Sequence, residues 1–118
     1  MDGQLEHRVA VPKELGGVGG ATNPEQLFAA AWGACFLSAL RTAAAERRIR
    51  PTETEITVEV TITRGDDGEH SLSVVLTPRL GGVDQQAAEE LAAAAHQICP
   101  YSKSTRGNIP VVVNAGTL

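Results

Sequence analysis

A long apolar segment, residues 27–40, constrains the fold of this chain more than any other feature of its sequence. Asn23 and Pro24 precede the segment, and these residue types are preferred at the N-cap and at the first position of a helix. The pattern predicts a helix from Pro24 to about Arg48. Because this helix is apolar nearly all the way round, we expect it to be buried on every side.

The remaining segments predict an α+β fold in the order β-α-β-β-α-β. The predicted strands are residues 4–11, 54–63, 71–77 and 109–114. The second and third of these alternate and are separated by turn residues, so they are expected to form a hairpin. A second, Ala-rich helix begins after the N-cap Asp84 and ends near Cys99, where Pro100 stops it. The 118 residues are expected to form a single domain, residues 1–118.

Four strands and one other helix are too few to enclose a helix that is apolar on all sides. We therefore expect a homodimer in which two copies of the long helix lie between two sheets. The alternative is a monomer that leaves one face of Ala and Gly in contact with water.

The net charge of −4 and the count of two cysteines limit the class of protein. This charge excludes the basic surface of a nucleic-acid-binding protein, and two cysteines are too few for a disulfide-rich secreted scaffold. The apolar segment is shorter than a membrane span, and the polar residues 1–8 do not resemble a signal peptide. We expect a cytoplasmic protein without membrane or nucleic-acid partners, in which both thiols are free to react.

Four glycines between residues 14 and 22 precede the long helix, as glycines do in some phosphate-binding loops. No Lys-Ser or Lys-Thr pair follows them, and their spacing is not that of a dinucleotide-binding loop. We interpret this segment as a tightly turned connector and expect no cofactor.

The two cysteines lie close in sequence to all four aromatic residues of the chain. Cys35 is inside the predicted long helix and Cys99 is at the end of the second helix. The aromatic residues are Phe28, Trp32, Phe36 and Tyr101. The pattern fits an apolar pocket around a thiol pair, but it also fits a core stripe with two inert buried cysteines.

A metal site is a further interpretation of the same residues. His96 and Cys99 are three residues apart on a helix, and Cys35 could be a third ligand. Structural zinc sites nearly always have four protein ligands, and no fourth is evident. We therefore expect no metal.

Two motifs resemble those of the organic hydroperoxide resistance proteins, the Ohr branch of the OsmC/Ohr family. The first motif is NPEQLFAA at residues 23–30 with ACF at 34–36, and residues 14–17 (ELGG) also fit. The second is AAH at 94–96, CPYS at 99–102 and TRGNI at 105–109. The resemblance covers nearly the whole chain and implies an OsmC/Ohr-like fold, an intertwined homodimer and two sites at its interface. It also implies reduction of organic hydroperoxides, with a lipoyl-bearing protein as the dithiol reductant.

The resemblance implies that Cys35, Cys99 and Glu25 are catalytic, and the aromatic residues are expected to line the approach of a bulky apolar substrate. Electrostatics agrees with Cys35 as the nucleophile, because Cys99 is at a helix C-terminus, where the dipole disfavours an anion. Cys99 is then the resolving cysteine, and the second helix must pack across the middle of the first, with alanines permitting close approach.

The family pattern includes an arginine on a preceding strand, which contacts the reactive cysteine and pairs with the glutamate at the position of Glu25. The present sequence begins after that point, and we expect a short form of the domain. Arg106 is the candidate substitute. Glu25 is about 15 Å from Cys35 along the helix, so it acts through an intermediary or only complements the helix N-terminus. An alternative function is a catalytically impaired dimeric module that binds ligands or senses thiol oxidation.

Overall fold

The computed structural model describes residues 2–118, which form three α-helices and a four-stranded sheet. This architecture confirms the predicted α+β class. A 3-10 helix, Lys13–Leu15, precedes these elements. In chain order they are α1 (Pro24–Glu46), β1 (Glu53–Arg64), β2 (His70–Gly81), α2 (Gln85–Ile98), α3 (Pro100–Thr105), β3 (Val111–Val113) and β4 (Gly116–Thr117).

The N-terminus of α1 forms as its sequence predicts. The Asn23 side chain accepts a hydrogen bond of 2.9 Å from the Gln26 backbone N–H, and the Gln26 side chain accepts one of 3.1 Å from the Asn23 N–H. This reciprocal capping box satisfies two of the N–H groups that a helix start leaves unpaired. At the other end, Arg48 adopts a left-handed backbone conformation (φ 55°). The helix therefore ends at Glu46, two residues before the predicted end.

The sheet is built on the hairpin of β1 and β2. The two strands pair antiparallel over their full length, from Glu53 opposite Gly81 to Arg64 opposite His70. β3 and β4 both lie parallel to β2 on its other side, one beyond the other along the strand. Alternate residues of β1 are half-buried on the side of α1, whereas the residues between them are exposed, as predicted.

The core lies between α1, α2 and the sheet. The α1 residues Trp32, Phe36 and Leu40 are fully buried or nearly so. Gly33 lets α1 approach the hairpin, because a Cβ atom there would lie 3.2 Å from a methyl group of Val58. α1 is long and apolar enough, by length and composition alone, to cross a membrane. Its largest side chains are instead enclosed by the rest of the fold, so it is a core helix.

One face of α1 is not covered by the residues that the structure describes. The exposed residues on this face are small or polar, and they are Ala30, Ala31, Ala34, Ser38, Arg41, Thr42 and Ala45. Within the described residues, the expectation that α1 is buried on every side therefore does not hold for a single chain.

The predicted strand at residues 4–11 is wrong. This segment is extended but mostly exposed, and its single bridge joins Val9 to Thr22. Alternation alone does not make a strand, because a strand needs a neighbour with which to share its backbone hydrogen bonds. No such neighbour lies beside most of this segment within residues 2–118.

Three other predicted boundaries differ from the structure. Pro100 does not lead into a loop but begins α3, because proline is also favoured at the first position of a helix. β2 continues past Thr77 to Gly81, where β1 and β4 flank it. The last predicted strand, 109–114, is shorter and is followed by the separate strand β4.

Candidate active site

The two thiols meet between α1 and the α2–α3 junction. The Sγ atoms of Cys35 and Cys99 are 3.3 Å apart and share a hydrogen bond. A disulfide S–S bond is about 2.05 Å long, so the sulfurs need only a small movement to form one. The predicted juxtaposition of the two cysteines is confirmed, and both are free thiols in this structure.

The two thiols differ in access to solvent. Cys35 is partly exposed, whereas Cys99 is 0% exposed. Cys99 is the residue at which α2 ends and α3 begins, and its backbone leaves the helical region there (φ −58°, ψ 120°). Its N–H still donates to the Ala95 carbonyl, with a length of 2.8 Å, which attaches it to the last turn of α2.

Opposing interactions set the pKa of Cys35. Burial raises the pKa of this thiol, and the hydrogen bond and charge of Cys99 raise it further. The backbone N–H of Tyr101, in the first turn of α3, hydrogen-bonds to the Cys35 sulfur and lowers the pKa. The net direction of the pKa is upward, because burial of the thiol and the adjacent Cys99 sulfur together outweigh the Tyr101 N–H.

Ser102 and the start of α3 are parts of this site that the sequence analysis did not identify. Trp32 Nε1–H donates to the Ser102 hydroxyl at 3.3 Å, and both residues are buried. The bond ties α3 to α1 one turn before Cys35. The signal was present in CPYS, because Ser102 follows Cys99 by three residues and a helix beginning at Pro100 brings both to one side.

The aromatic residues divide into a buried pair and an accessible pair. Trp32 and Phe36 are fully buried, whereas Phe28 is half-buried and Tyr101 is 39% exposed. The Phe28 ring centroid is 5.4 Å from that of Trp32 and 6.5 Å from that of Tyr101. The apolar surface that solvent reaches beside the thiols therefore comes from Phe28 and Tyr101.

The structure does not bring Glu25 or Arg106 to the thiols. Glu25 lies in the first turn of α1, beside a surface groove of about 390 Å³ that Val58 and Ile62 also line. The Arg106 guanidinium donates to the His96 carbonyl at 2.9 Å. Of the described residues, Cys99 and Tyr101 are those that shift the Cys35 pKa, and neither is a cation. Arg106 is therefore not a substitute for a cation at Cys35.

His96 is the other titratable group near the junction. Its Nδ1 atom is buried and has no hydrogen-bond partner among residues 2–118. Burial, and then the positive charge of Arg106, lower the pKa of this imidazole. No group of three His, Cys, Asp or Glu residues in the described part of the chain is placed to hold a metal ion.

A small α+β fold with a pair of adjacent thiols between its two main helices defines a class of dithiol protein, and comparison with known proteins identifies the family. The family model described as OsmC-like protein matches residues 17–114. The chain belongs to the OsmC-like family.

Within this family the chain is similar to proteins named for organic hydroperoxide resistance. It is 42% identical to the organic hydroperoxide resistance protein of Xanthomonas axonopodis pv. citri (strain 306), over 95% of this chain and 80% of that protein. It is also 42% identical to OhrB of Bacillus subtilis (strain 168), over 93% of this chain and 81% of that protein. The crystal structure of an organic hydroperoxide resistance protein OsmC from Legionella pneumophila superposes with a TM-score of 0.93 at 43% identity, covering 100% of this chain and 85% of that one.

Proposed function

We propose that this protein is a thiol-dependent peroxidase that reduces organic hydroperoxides to alcohols in defence against oxidative stress. The observation that carries the proposal is the 3.3 Å separation of the Cys35 and Cys99 sulfurs. The names of relatives at about 42% identity support the substrate class. A cytoplasmic location agrees with both cysteines being free.

The reaction proceeds by thiolate attack on the O–O bond. The Cys35 thiolate forms an S–O bond as the O–O bond breaks, which leaves a sulfenic acid on Cys35 and releases an alkoxide that takes a proton to become the alcohol. The Cys99 sulfur then attacks the Cys35 sulfur, and the hydroxyl group leaves as water with the Cys99 proton. The product is a Cys35–Cys99 disulfide. An external dithiol, proposed to be a lipoyl group on a protein, reduces this disulfide and is itself oxidised to a disulfide.

Three observations support Cys35 as the attacking residue and Cys99 as the resolving residue. Cys35 is accessible from solvent, whereas Cys99 is not. The Tyr101 N–H is a hydrogen-bond donor to the Cys35 sulfur and stabilises its anion. Cys99 is within reach of the Cys35 sulfur and needs no large rearrangement to condense with it.

The substrate proposal rests on the surface beside the accessible thiol. Phe28 and Tyr101 present aromatic side chains there, and the buried Trp32 supports Phe28 from behind. Such a surface favours a hydroperoxide with a bulky apolar group over hydrogen peroxide, which has no apolar part to bury. Trp32 and Phe36 act by shaping the site and not by direct contact.

We further propose a homodimer, formed through the uncovered face of α1. This face adjoins a groove of about 360 Å³ lined by small and apolar residues of α1 and β1. Exposed apolar side chains on the segment before α1, such as Leu5 and Val18, also lack a covering element among residues 2–118. A symmetric partner would bury both surfaces. Glu25, in the first turn of α1 and ten residues before Cys35, is proposed to act on such an assembled site.

The second candidate function is a dimeric module that binds ligands or senses oxidation without efficient turnover. The raised pKa of Cys35 favours it, because a thiol that holds its proton at neutral pH reacts slowly. Multiple turnovers with peroxide distinguish the two functions, since a sensor is oxidised once and requires no rapid reduction.

The proposed function is tested by peroxide consumption with a dithiol reductant. The wild-type protein should consume an aryl or long-chain alkyl hydroperoxide faster than hydrogen peroxide. C35S should abolish consumption, whereas C99S exposed to peroxide without the dithiol should undergo one oxidation and be trapped as a sulfenic acid or an overoxidised species that mass spectrometry detects. A folded wild-type protein with no consumption would refute the peroxidase, and the reverse pattern of variants would exchange the two roles.

A further inference from the structure

The α2–α3 junction has a backbone defect that follows from its sequence. In a continuous helix, the His96 carbonyl would accept a hydrogen bond from the backbone N–H four residues later. That residue is Pro100, which has no N–H. The carbonyl oxygen of His96 is therefore left without its helical partner at the point where Cys99 must be held.

Arg106 supplies the missing donor. Its Nη2 atom donates to the His96 carbonyl oxygen at 2.9 Å. Arg106 is the residue that ends α3, so its side chain reaches back from the far end of α3 to the last turn of α2. The described residues give Arg106 no ion pair, so this bond is the interaction that engages its guanidinium.

The positions of Cys99 and of the Tyr101 N–H, the two groups that contact the Cys35 sulfur, depend on the angle between α2 and α3. Cys99 is at the vertex, and its N–H is bonded to Ala95 in α2. Tyr101, two residues later in α3, directs its N–H to the Cys35 sulfur. A rotation of α3 about the vertex would move this N–H from Cys35 and change the direction of the Cys99 side chain.

We propose that Arg106 is a positioning residue, which clamps the α2–α3 junction so that Cys99 and the Tyr101 N–H both stay on Cys35. The inference rests on the proposed thiol chemistry but does not require peroxide turnover. Arginine suits this task because its long side chain ends in a planar, always-charged donor group. The clamp does not touch the reacting atoms and acts through the backbone of α2.

The direct readout is the equilibrium between the thiol pair and glutathione. Oxidised glutathione takes two electrons and two protons from Cys35 and Cys99, which form their disulfide, and two molecules of reduced glutathione are released. The equilibrium constant measures how well the two sulfurs are held for bonding. R106Q removes the positive charge and shortens the side chain, whereas R106K retains the charge. K103Q is the matched control, because Lys103 is an exposed cation on the same helix.

R106Q should lower this equilibrium constant about tenfold. The constant of R106K should lie between those of R106Q and the wild type, and the constant of K103Q should equal that of the wild type. Single-turnover oxidation should leave a larger fraction of Cys35 as sulfenic acid in R106Q than in K103Q. Circular dichroism shows which variants are folded. If R106Q does not fold, R106K decides: an equilibrium constant below the wild-type value supports the clamp, and a wild-type constant refutes it.

A folded R106Q with the wild-type constant and the wild-type sulfenic acid fraction would overturn the inference. A different result would refute the proposed function but not the clamp. The wild-type protein would not consume peroxide, whereas R106Q would still shift the glutathione equilibrium.

Discussion

At the scale of single residues, the surroundings of Cys35 oppose its ionisation more than they assist it. Burial and the second thiol raise its pKa, and a single backbone N–H acts in the other direction. The residue is therefore mainly a neutral thiol at neutral pH. Its reactivity should depend on how much thiolate the surroundings permit.

The rate of Cys35 alkylation by iodoacetamide should rise with pH and continue to rise beyond about 8.5, the ordinary pKa of a thiol. C99A should move the midpoint downward, because it removes the hydrogen bond and charge that raise the Cys35 pKa, while burial still holds the midpoint above the ordinary value. The measurement is mass spectrometry of Cys35 modification across pH 6–10. A wild-type midpoint near 7 would contradict the prediction.

His96 should contribute a pH dependence to stability. Its pKa is lowered in the folded protein, so the unfolded chain binds a proton more readily than the folded chain does. The free energy of unfolding should therefore fall as pH decreases below about 6.5, the ordinary histidine value, toward the lowered pKa. Urea denaturation between pH 7 and 5 measures this fall.

H96Q should reduce the slope of stability against pH in that window. H70Q is the control, because His70 is exposed at the start of β2 and lies far from the junction in sequence. Equal slopes in H96Q and the wild type would show that another group is responsible.

At the scale of secondary-structure elements, Pro100 has two effects that cannot be separated in the sequence. It ends α2 and also starts α3, and the preceding Cys99 is kept out of the helical conformation by the proline ring. The sequence indicates where α2 ends, but it does not indicate that the six residues after Cys99 form the separate helix α3. The thiol site depends on α3.

P100A should impair disulfide formation. Alanine has an N–H for the His96 carbonyl and permits Cys99 to become helical, so α2 is free to continue through the junction. The Tyr101 N–H would then bond within the helix and leave the Cys35 sulfur. We expect a rise in helix content by circular dichroism and at least a tenfold slower condensation of the Cys35 sulfenic acid. P78A, at a buried proline in β2, is the control for general destabilisation.

The elements that the sequence predicts correctly are those that form because of residues within or next to the element itself. The cap at Asn23 and the apolar segment after it determine α1, and the alternation around Val58 and the turn after Arg64 determine the hairpin. The segment at residues 4–11 was predicted wrongly, because a strand is defined by its neighbours and not by its own alternation. The pairing of Cys35 with Cys99 followed from family motifs, whereas the Tyr101 N–H and Arg106 contacts depend on the three-dimensional junction.

At the scale of the whole molecule, one chain leaves an apolar core helix partly uncovered. The exposed face of α1 carries Ala30, Ala34 and Ser38, and small side chains permit two helices to approach closely. Obligate interfaces bury about 2,000 Å² or more. An interface of this size would need both the α1 face and the extended segment before it.

A34E should weaken the proposed dimer, because it places two like charges near the centre of the interface. A93E is the control, since Ala93 is an exposed alanine on α2. Sedimentation velocity at micromolar concentration should give a dimer for the wild type and A93E, and a dimer at least tenfold weaker for A34E. A monomeric wild-type protein would refute the interface.

The unequal exposure of the two sulfurs has a consequence for the recycling step. In the proposed recycling step, the incoming thiolate can reach Cys35 but not Cys99, so we expect the covalent adduct with the electron donor to form on Cys35, with Cys99 as the leaving group. The order of bond exchange is therefore set by access. The second thiol of the proposed dithiol donor then attacks the donor sulfur of this adduct and displaces Cys35, so Cys99 is the first thiol to be released and Cys35 is the last.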